Sequence, residues 1–260
     1  MKKICTLFLL LMFFFTTGCN FDKRSKLNDI QRIKEQGYIT VGVKTDSKPF
    51  GFINKKTGKN DGFDIDIAKY IAKNILGSED GVKYVQVTPS SKIEAILSGE
   101  VDMVIATMSI TPQRQFLVDF SIPYYIAGQT AVVRDASDIH NFSDLRNKVT
   151  IIVLGSTAEE NIRKILPTAK LYGFKTYTEA FNAFQNGQGD AISTDNTILS
   201  GFMMENKGYR MLKIKISQEP YAVAFKKNEK DDSLKKTINM VLRQLEKDGT
   251  LKKLKKKWKC

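Results

Sequence analysis

The amino-acid sequence predicts an α/β protein of two lobes, each a mainly parallel sheet flanked by helices, and three observations predict it. Short β-branched runs alternate with segments whose apolar residues recur at helical spacing, which implies parallel strands covered on both faces. The alternation comes in two separate blocks, one over 38–107 and one from 149 onward. Composition is globular, with 42% hydrophobic and 27% charged residues, so apolar material for a core is ample and disorder is not expected beyond the ends. A length of 260 residues admits one domain or two.

The elements follow in order. Ile30, Ile33 and the stop signal Gly37 indicate a short helix. Tyr38 to Val43 (YITVGV) reads as a strand, being rich in β-branched residues. Residues 54–61 (NKKTGKND) carry hairpin-turn chemistry. From Gly62 to Gly77, positions 63, 67, 68, 71, 75 and 76 share one apolar face, with Asp64 and Asp66 in the first turn and Gly77 at the end, the pattern of a helix. Strands are expected at 82–87 and 101–107 around a helix at 90–98. The second block predicts strands at 149–154, 170–174 and 190–193, and helices at 157–165, 178–186 and 197–206. A strand at 221–226 and helices at 234–248 and from Thr250 close the chain.

The start of the chain has the grammar of an export signal. Lys2 and Lys3 precede an unbroken apolar run from Leu7 to Phe15, too short for a bilayer span. The run ends at Thr16-Thr17-Gly18-Cys19, which resembles the lipobox of bacterial lipoproteins, although Thr16 stands where Leu is usual. The resemblance implies a signal over 1–18, acylation of Cys19, a polar tether over 19–27 and a protein held by lipid on the outer side of the cell membrane. A plain secretion signal is the alternative. Cys5 would leave with the signal and Cys260 would stand alone, so no disulfide framework is expected. The net charge of +13 includes six lysines in the last ten residues. Export argues against nucleic acid as the partner. The tail is expected to be a solvated helix end leaning toward anionic lipid.

Little points to catalysis. His140 is the one histidine and lies in a polar stretch, whereas metal sites need several ligands. No Gly-rich phosphate loop, Gly-x-Ser-x-Gly elbow or Cys/His cluster is present. Neither an enzyme nor a metal or other cofactor is expected. Polar residues instead gather where predicted strands end. In the first such place Ala106 to Arg114 (ATMSITPQR) brings hydroxyls and a guanidinium, whose planar fork suits a carboxylate. Arg114 reads equally as a surface partner of Asp119. In the second, Gly155-Ser156-Thr157 joins a strand to a helix, where free amides and hydroxyls favour an anion, or where the hydroxyls simply cap the helix. In the third, Asp195 follows a short strand and can accept from an ammonium group or cap the next helix. Together these groups match the zwitterionic head of an α-amino acid.

Eight stretches stand in order: VGVKTDSKPFGF (41–52), GFDIDIAK (62–69), GEVDMVIATMSITPQR (99–114), VDFSIPYY (118–125), GSTAE (155–159), GDAISTD (189–195), YAVAFKK (221–227) and DGTLKKLKKKW (248–258). In register they resemble the bacterial extracellular solute-binding proteins of family 3, the polar amino-acid receptors of ABC importers, over about Ile30 to Trp258. The resemblance implies a type II periplasmic-binding-protein-like clamp. Lobe one would be 28–126 plus 219–260, lobe two 127–218, joined by two hinge strands. It implies that Arg114 and Ser109 hold the α-carboxylate with Thr157. Asp195 and the Thr107 carbonyl would take the ammonium, and Asp46 and Phe50 would line the first-loop side. Lys92 stands at a position that in some members meets a side-chain carboxylate, so an acidic amino acid is favoured ahead of glutamine. A solvated helix lysine is the alternative. Leu154 and Pro89 depart from the glutamine- and lysine-type members. The implied partners are a free L-amino acid, the ABC permease with its ATPase, and the membrane through the anchor, with the protein a monomer. A cyclohexadienyl dehydratase on the same fold, a sensor input domain or an adhesin are the rivals. The first lacks a distinctive cleft acid here, and the second is disfavoured by an end at Cys260 without a membrane span.

Overall fold

The computed structural model describes residues 27–228 and 230–260. The expected signal, Cys19 and the tether up to residue 26 lie outside them.

Helix α1 (Asp29–Gln36) starts at Asn28 in a reciprocal capping box with Gln31 and stops at the left-handed Gly37. There follow β1 (Ile39–Val43), β2 (Asp46–Ser47), β3 (Gly51–Ile53), β4 (Asn60–Asp61), α2 (Phe63–Leu76), β5 (Val82–Gln86), α3 (Lys92–Leu97), β6 (Met103–Val104), α4 (Pro112–Leu117), β7 (Val118–Phe120) and β8 (Tyr125–Ala127). Next come β9 (Gln129–Arg134), a 3₁₀ turn at Phe142–Leu145, β10 (Val149–Val153), α5 (Ala158–Ile165), β11 (Lys170–Phe174), α6 (Tyr177–Gln185), β12 (Ala191–Asp195), α7 (Asn196–Glu205) and β13 (Tyr209–Met211). The chain ends with β14 (Glu219–Tyr221), β15 (Ala224–Lys226), α8 (Ser233–Lys247) and α9 (Thr250–Trp258).

Two five-stranded sheets result, ordered β5-β1-β6-β15-β7 and β11-β10-β12-β9-β13. In the first, β5, β1 and β6 are parallel and β15 runs against both its neighbours. In the second, β11, β10 and β12 are parallel and β9 runs against both of its neighbours. Each reversed strand is the one the chain enters on crossing between sheets: β9 directly follows β8, and β15 follows β14. β8 and β14 pair with each other as a separate antiparallel ribbon. The mainly parallel lobes and two connecting strands expected of the clamp are therefore present.

Each sheet is covered on both faces. On the first sheet, Val41 and Val43 meet Ile67 and Ile71 of α2, Ile238 of α8 and Leu251 of α9 on one side, while Val104 and Ala224 meet Ile96 of α3 on the other. On the second, Ile152 packs with Ile162 of α5, and Ile151 and Ile192 with Phe184 of α6 and Phe202 of α7. Each such side chain removed from water contributes roughly 1.5–3 kcal/mol, and this fixes the attitude of the strand ends that carry the polar residues.

Two expectations change. The strand expected at 221–226 is two strands in different sheets, β14 and β15, broken at Ala222 and Val223. The one expected at 101–107 is a ladder of only Met103–Val104, because the chain leaves the sheet early to form the site. The lysine-rich tail is an amphipathic helix end, with Lys252, Lys253, Lys256, Lys257 and Lys259 exposed as expected and its leucines turned inward. Leu251 and Leu254 are buried in the core, and Lys257 Nζ and Trp258 Nε1 each meet an Asp66 carboxylate oxygen at 2.7 Å. Among the described residues no helix is long and apolar enough to cross a membrane.

Candidate functional site

Arg114 sits in the short helix α4, whose first turn is set by Pro112 and by Thr111 Oγ1 accepting the Arg114 amide at 3.2 Å. Its side chain is buried, with Nη1 donating to the Ser109 carbonyl at 2.9 Å and Nη2 to the Gly155 carbonyl at 3.1 Å. The guanidinium thus bridges from the first sheet to the turn after β10 in the second. No carboxylate pairs with it among the described residues; Asp119 lies instead 3.7 Å from Lys235. Two of its five donors are used, which leaves three for an anion.

Thr107 is held in the left-handed region at φ 45°, uncommon for a β-branched residue and costing on the order of 1–3 kcal/mol. What holds it is Asp64 in the first turn of α2. One carboxylate oxygen accepts the Thr107 amide at 2.9 Å and the other accepts the Tyr124 hydroxyl at 2.8 Å. Burial pushes the Asp64 carboxyl up to about 6. The Thr107 hydroxyl is buried with no partner, a gap a bound polar group would fill. Ser109, also buried, bridges to Tyr221 of β14.

From the second sheet comes the turn Gly155-Ser156-Thr157. Ser156 Oγ accepts the Ala158 amide at 3.3 Å, so it does the capping. Thr157 makes no side-chain cap bond; its hydroxyl donates to Glu219 of β14 at 3.0 Å. Only the backbone of Thr157 therefore remains for an anion, not the hydroxyl the sequence suggested. Asp195 ends β12 and is buried. Its side chain caps nothing in α7 but accepts the Tyr221 hydroxyl. Burial, helped by the negative charge of Glu219, raises its pKa to about 6.

Two lysines enter the same interior. Lys92, expected either at the ligand or in solvent, is buried, and desolvation, with Arg114 and Lys44 as like charges, lowers its pKa well below the usual amine range. Lys44 was not singled out by sequence. It too is buried, its ammonium 4.0 Å from the centre of the Tyr177 ring, and burial lowers its pKa to about 8. Among the described residues neither ammonium has an ion-pair partner.

Asp46 and Phe50, expected to line the first-loop side, each have partners within the protein. The Asp46 carboxylate accepts the Tyr177 amide at 2.9 Å and the Thr178 amide at 3.4 Å, so it caps α6 across the gap between sheets, where the helix dipole favours it. Phe50 is fully buried, with its ring edge-on to Phe63, Tyr125 and Tyr221. Through Tyr221, whose hydroxyl meets Asp195, it packs against the site.

The groups brought together are thus Arg114, Ser109, Thr107, Asp195, Lys92 and the Thr157 backbone. Sequence reasoning missed Lys44, Asp64, Tyr177, Glu219 and Tyr221. Lys44 was findable, since it directly follows the carboxyl end of β1, where open α/β sheets place ligands.

A family model for bacterial extracellular solute-binding proteins, family 3, matches residues 39–259. The chain belongs to this family. The ABC transporter glutamine-binding protein GlnH of Bacillus subtilis is 40% identical over 99% of this chain and 97% of its own. A glutamine-binding protein of Geobacillus stearothermophilus is 43% identical over 78% of each. Among solved structures, a cysteine-binding protein from Campylobacter jejuni superposes with a TM-score of 0.85 at 33% identity, covering 89% of this chain and 93% of that one. The first of these is named as an ABC transporter component and the other two as amino-acid-binding proteins, in keeping with a family of extracellular solute-binding proteins. The ribbon of β8 and β14 links the two sheets along the chain, β8 running into β9 and β14 leading to β15.

Proposed function

We propose that this solute-binding protein captures a free acidic amino acid, aspartate or glutamate, between its lobes and delivers it to the permease of an ATP-driven importer. The observation that carries the choice of ligand is the pair of buried amino groups of Lys44 and Lys92 near Arg114, neither with an ion-pair partner among the described residues. A buried charge without a partner is costly, and a ligand with a second carboxylate supplies one. The α-carboxylate goes to the free donors of Arg114, Ser109 and the Thr157 amide. The ammonium goes to Asp195 and the Thr107 carbonyl. Closure of the lobes expels water and strengthens each charge-assisted bond. Glutamine is the second reading, favoured by the two relatives named for it; its side-chain amide can accept from one lysine but leaves the other unpaired. The protein acts as a lipid-anchored monomer, with Cys19 acylated.

The test is a thermal-shift and calorimetric screen of the twenty amino acids on the exported protein. A ligand at about a thousand times its Kd adds about 4 kcal/mol of stability. Glutamate or aspartate should give the largest shift, and Arg114→Ala and Asp195→Ala should abolish it. A larger shift with glutamine selects the second reading. Undiminished affinity in both variants refutes the site. Labelled palmitate incorporation that survives Cys19→Ser refutes the anchor.

A further inference from the structure

We infer that β14 is a positioning element, in which Glu219 and Tyr221 hold the carboxylate-binding and ammonium-binding ends of the ligand site from the connecting ribbon. The inference rests on the reading of Arg114 and Asp195 given above and adds two residues that touch no ligand themselves.

Residues 219 and 221 are two apart, so their side chains leave β14 on the same face. Both are buried, Glu219 at 3% and Tyr221 at 0% exposure. Glu219 is wholly engaged with the second lobe's anion-binding turn. One oxygen accepts Thr157 Oγ1 at 3.0 Å, and the other accepts Asn161 Nδ2 at 2.8 Å and Ser217 Oγ at 2.7 Å. Asn161 passes the contact on to Gln129 at 2.9 Å, whose amide reaches Ser193 at 3.0 Å. Tyr221 points at the other pole: its hydroxyl donates to Asp195 and lies 3.1 Å from Thr197 Oγ1.

The backbone of the same strand is bound to the first lobe's ligand segment. The Ile110 amide donates to the Pro220 carbonyl at 2.9 Å, and the Ala222 amide to the Met108 carbonyl at 3.1 Å, on either side of the Ser109–Tyr221 bridge. One three-residue strand therefore ties Ser109 by its main chain, and Thr157 and Asp195 by its side chains. Rotation about the ribbon that opens the lobes must break side-chain contacts at both poles together.

The two residues act on Asp195 in opposite senses. The Glu219 charge opposes its ionisation and the Tyr221 hydrogen bond favours it. The other charged or titratable groups facing Asp195 are Lys44, Lys92 and Arg114 from the first lobe and Tyr177 from α6; none changes in the variants below.

The experiment measures amino-acid affinity by calorimetry from pH 4.5 to 8 in the parent, Glu219→Gln and Tyr221→Phe. Each substitution is close to isosteric. Loss of the Glu219 charge should move the acid limb of the profile to lower pH, and loss of the Tyr221 hydroxyl should move it to higher pH. Tyr221→Phe should also bind about tenfold more weakly at neutral pH. A purely structural role would weaken binding without moving the limbs apart. In the parent, ligand addition should slow exchange of the Asn161 side-chain amide and Tyr221 hydroxyl protons by NMR, a measurement that stands even if a variant fails to fold. Limbs that move together or stay put, or exchange rates indifferent to ligand, overturn the inference. A parent that binds no amino acid overturns the functional reading first and this one with it.

Discussion

Thr107 shows how a single residue is spent on function. Its left-handed backbone and unpartnered hydroxyl are both unfavourable, and both persist because Asp64 grips its amide from another element. The ionisable groups carry the same cost. Asp195, raised to about 6 by burial, must be ionised to accept an ammonium group. Lys44, lowered to about 8 by burial, must be protonated to accept a carboxylate. Affinity for an acidic amino acid should therefore be greatest between about pH 6 and 8. It should weaken below as Asp195 takes a proton and above as Lys44 loses one, which calorimetry across that range checks. Folding has the opposite sign at the carboxylates. A raised folded pKa adds stability at low pH that is lost as pH rises through about 6, so at neutral pH the empty site works against the fold. Arg114 and Asp195 were legible from sequence because polar residues at strand ends are a local signal. Lys44 looked like any exposed lysine, since its burial depends on Tyr177, more than a hundred residues away.

At the scale of elements, α9 is the clearest case of pattern and environment pulling apart. Its lysines suggest a solvated tail, yet Leu251 and Leu254, three positions apart on one face, are buried, while Trp258 packs edge-on to Phe52 with centroids 5.8 Å apart. Lys257 and Trp258 both close on Asp66 in the first turn of α2, so the end of the chain clasps the first lobe. Leu251→Ala should cost about 2–4 kcal/mol, lowering Tm by roughly 5–15 °C for a chain of this size. Ligand affinity should stay within a few-fold of the parent, because Leu251 packs in the first lobe's core and is not among the groups that meet the ligand. Denaturant unfolding alongside calorimetry checks both halves. The split of the expected 221–226 strand into β14 and β15 has the same origin. Both halves have the same β-branched and aromatic texture, and only the partner strands β8 and β6 decide which sheet each joins.

For the whole molecule the decisive feature is how closely the lobes approach. Asp46 caps α6, Lys48 pairs with Glu205, and Arg114 reaches the Gly155 carbonyl, three contacts between residues of different sheets. Two glycines make room. A Cβ on Gly155 would lie 2.6 Å from Ser90 Cα, and one on Gly201 would lie 2.0 Å from the Lys48 carbonyl oxygen. Gly201 is inside α7, where alanine favours the helix by about 1 kcal/mol. Gly201→Ala should therefore leave the ligand-free protein as stable as before and obstruct only closure. Affinity should fall at least about tenfold, and small-angle scattering of the variant at saturating ligand should retain an extended profile. A compact, tightly binding variant would show that the lobes close along a different path.

By itself the sequence determined the two αβ blocks, the buried faces of the helices, the family to which the chain belongs, and the guanidinium and carboxylate at opposite strand ends. Each of these is written in neighbouring residues, through periodicity, turn chemistry or contiguous motif. Only the tertiary structure decided that Lys44 and Lys92 are both desolvated, that Asp46 serves a helix end, and that Glu219 and Tyr221 reach both poles of the site from one strand. The physical reason is that desolvation and hydrogen-bond partnership at the cleft are set by residues from the opposite lobe, and a local pattern carries no record of what will be packed against it.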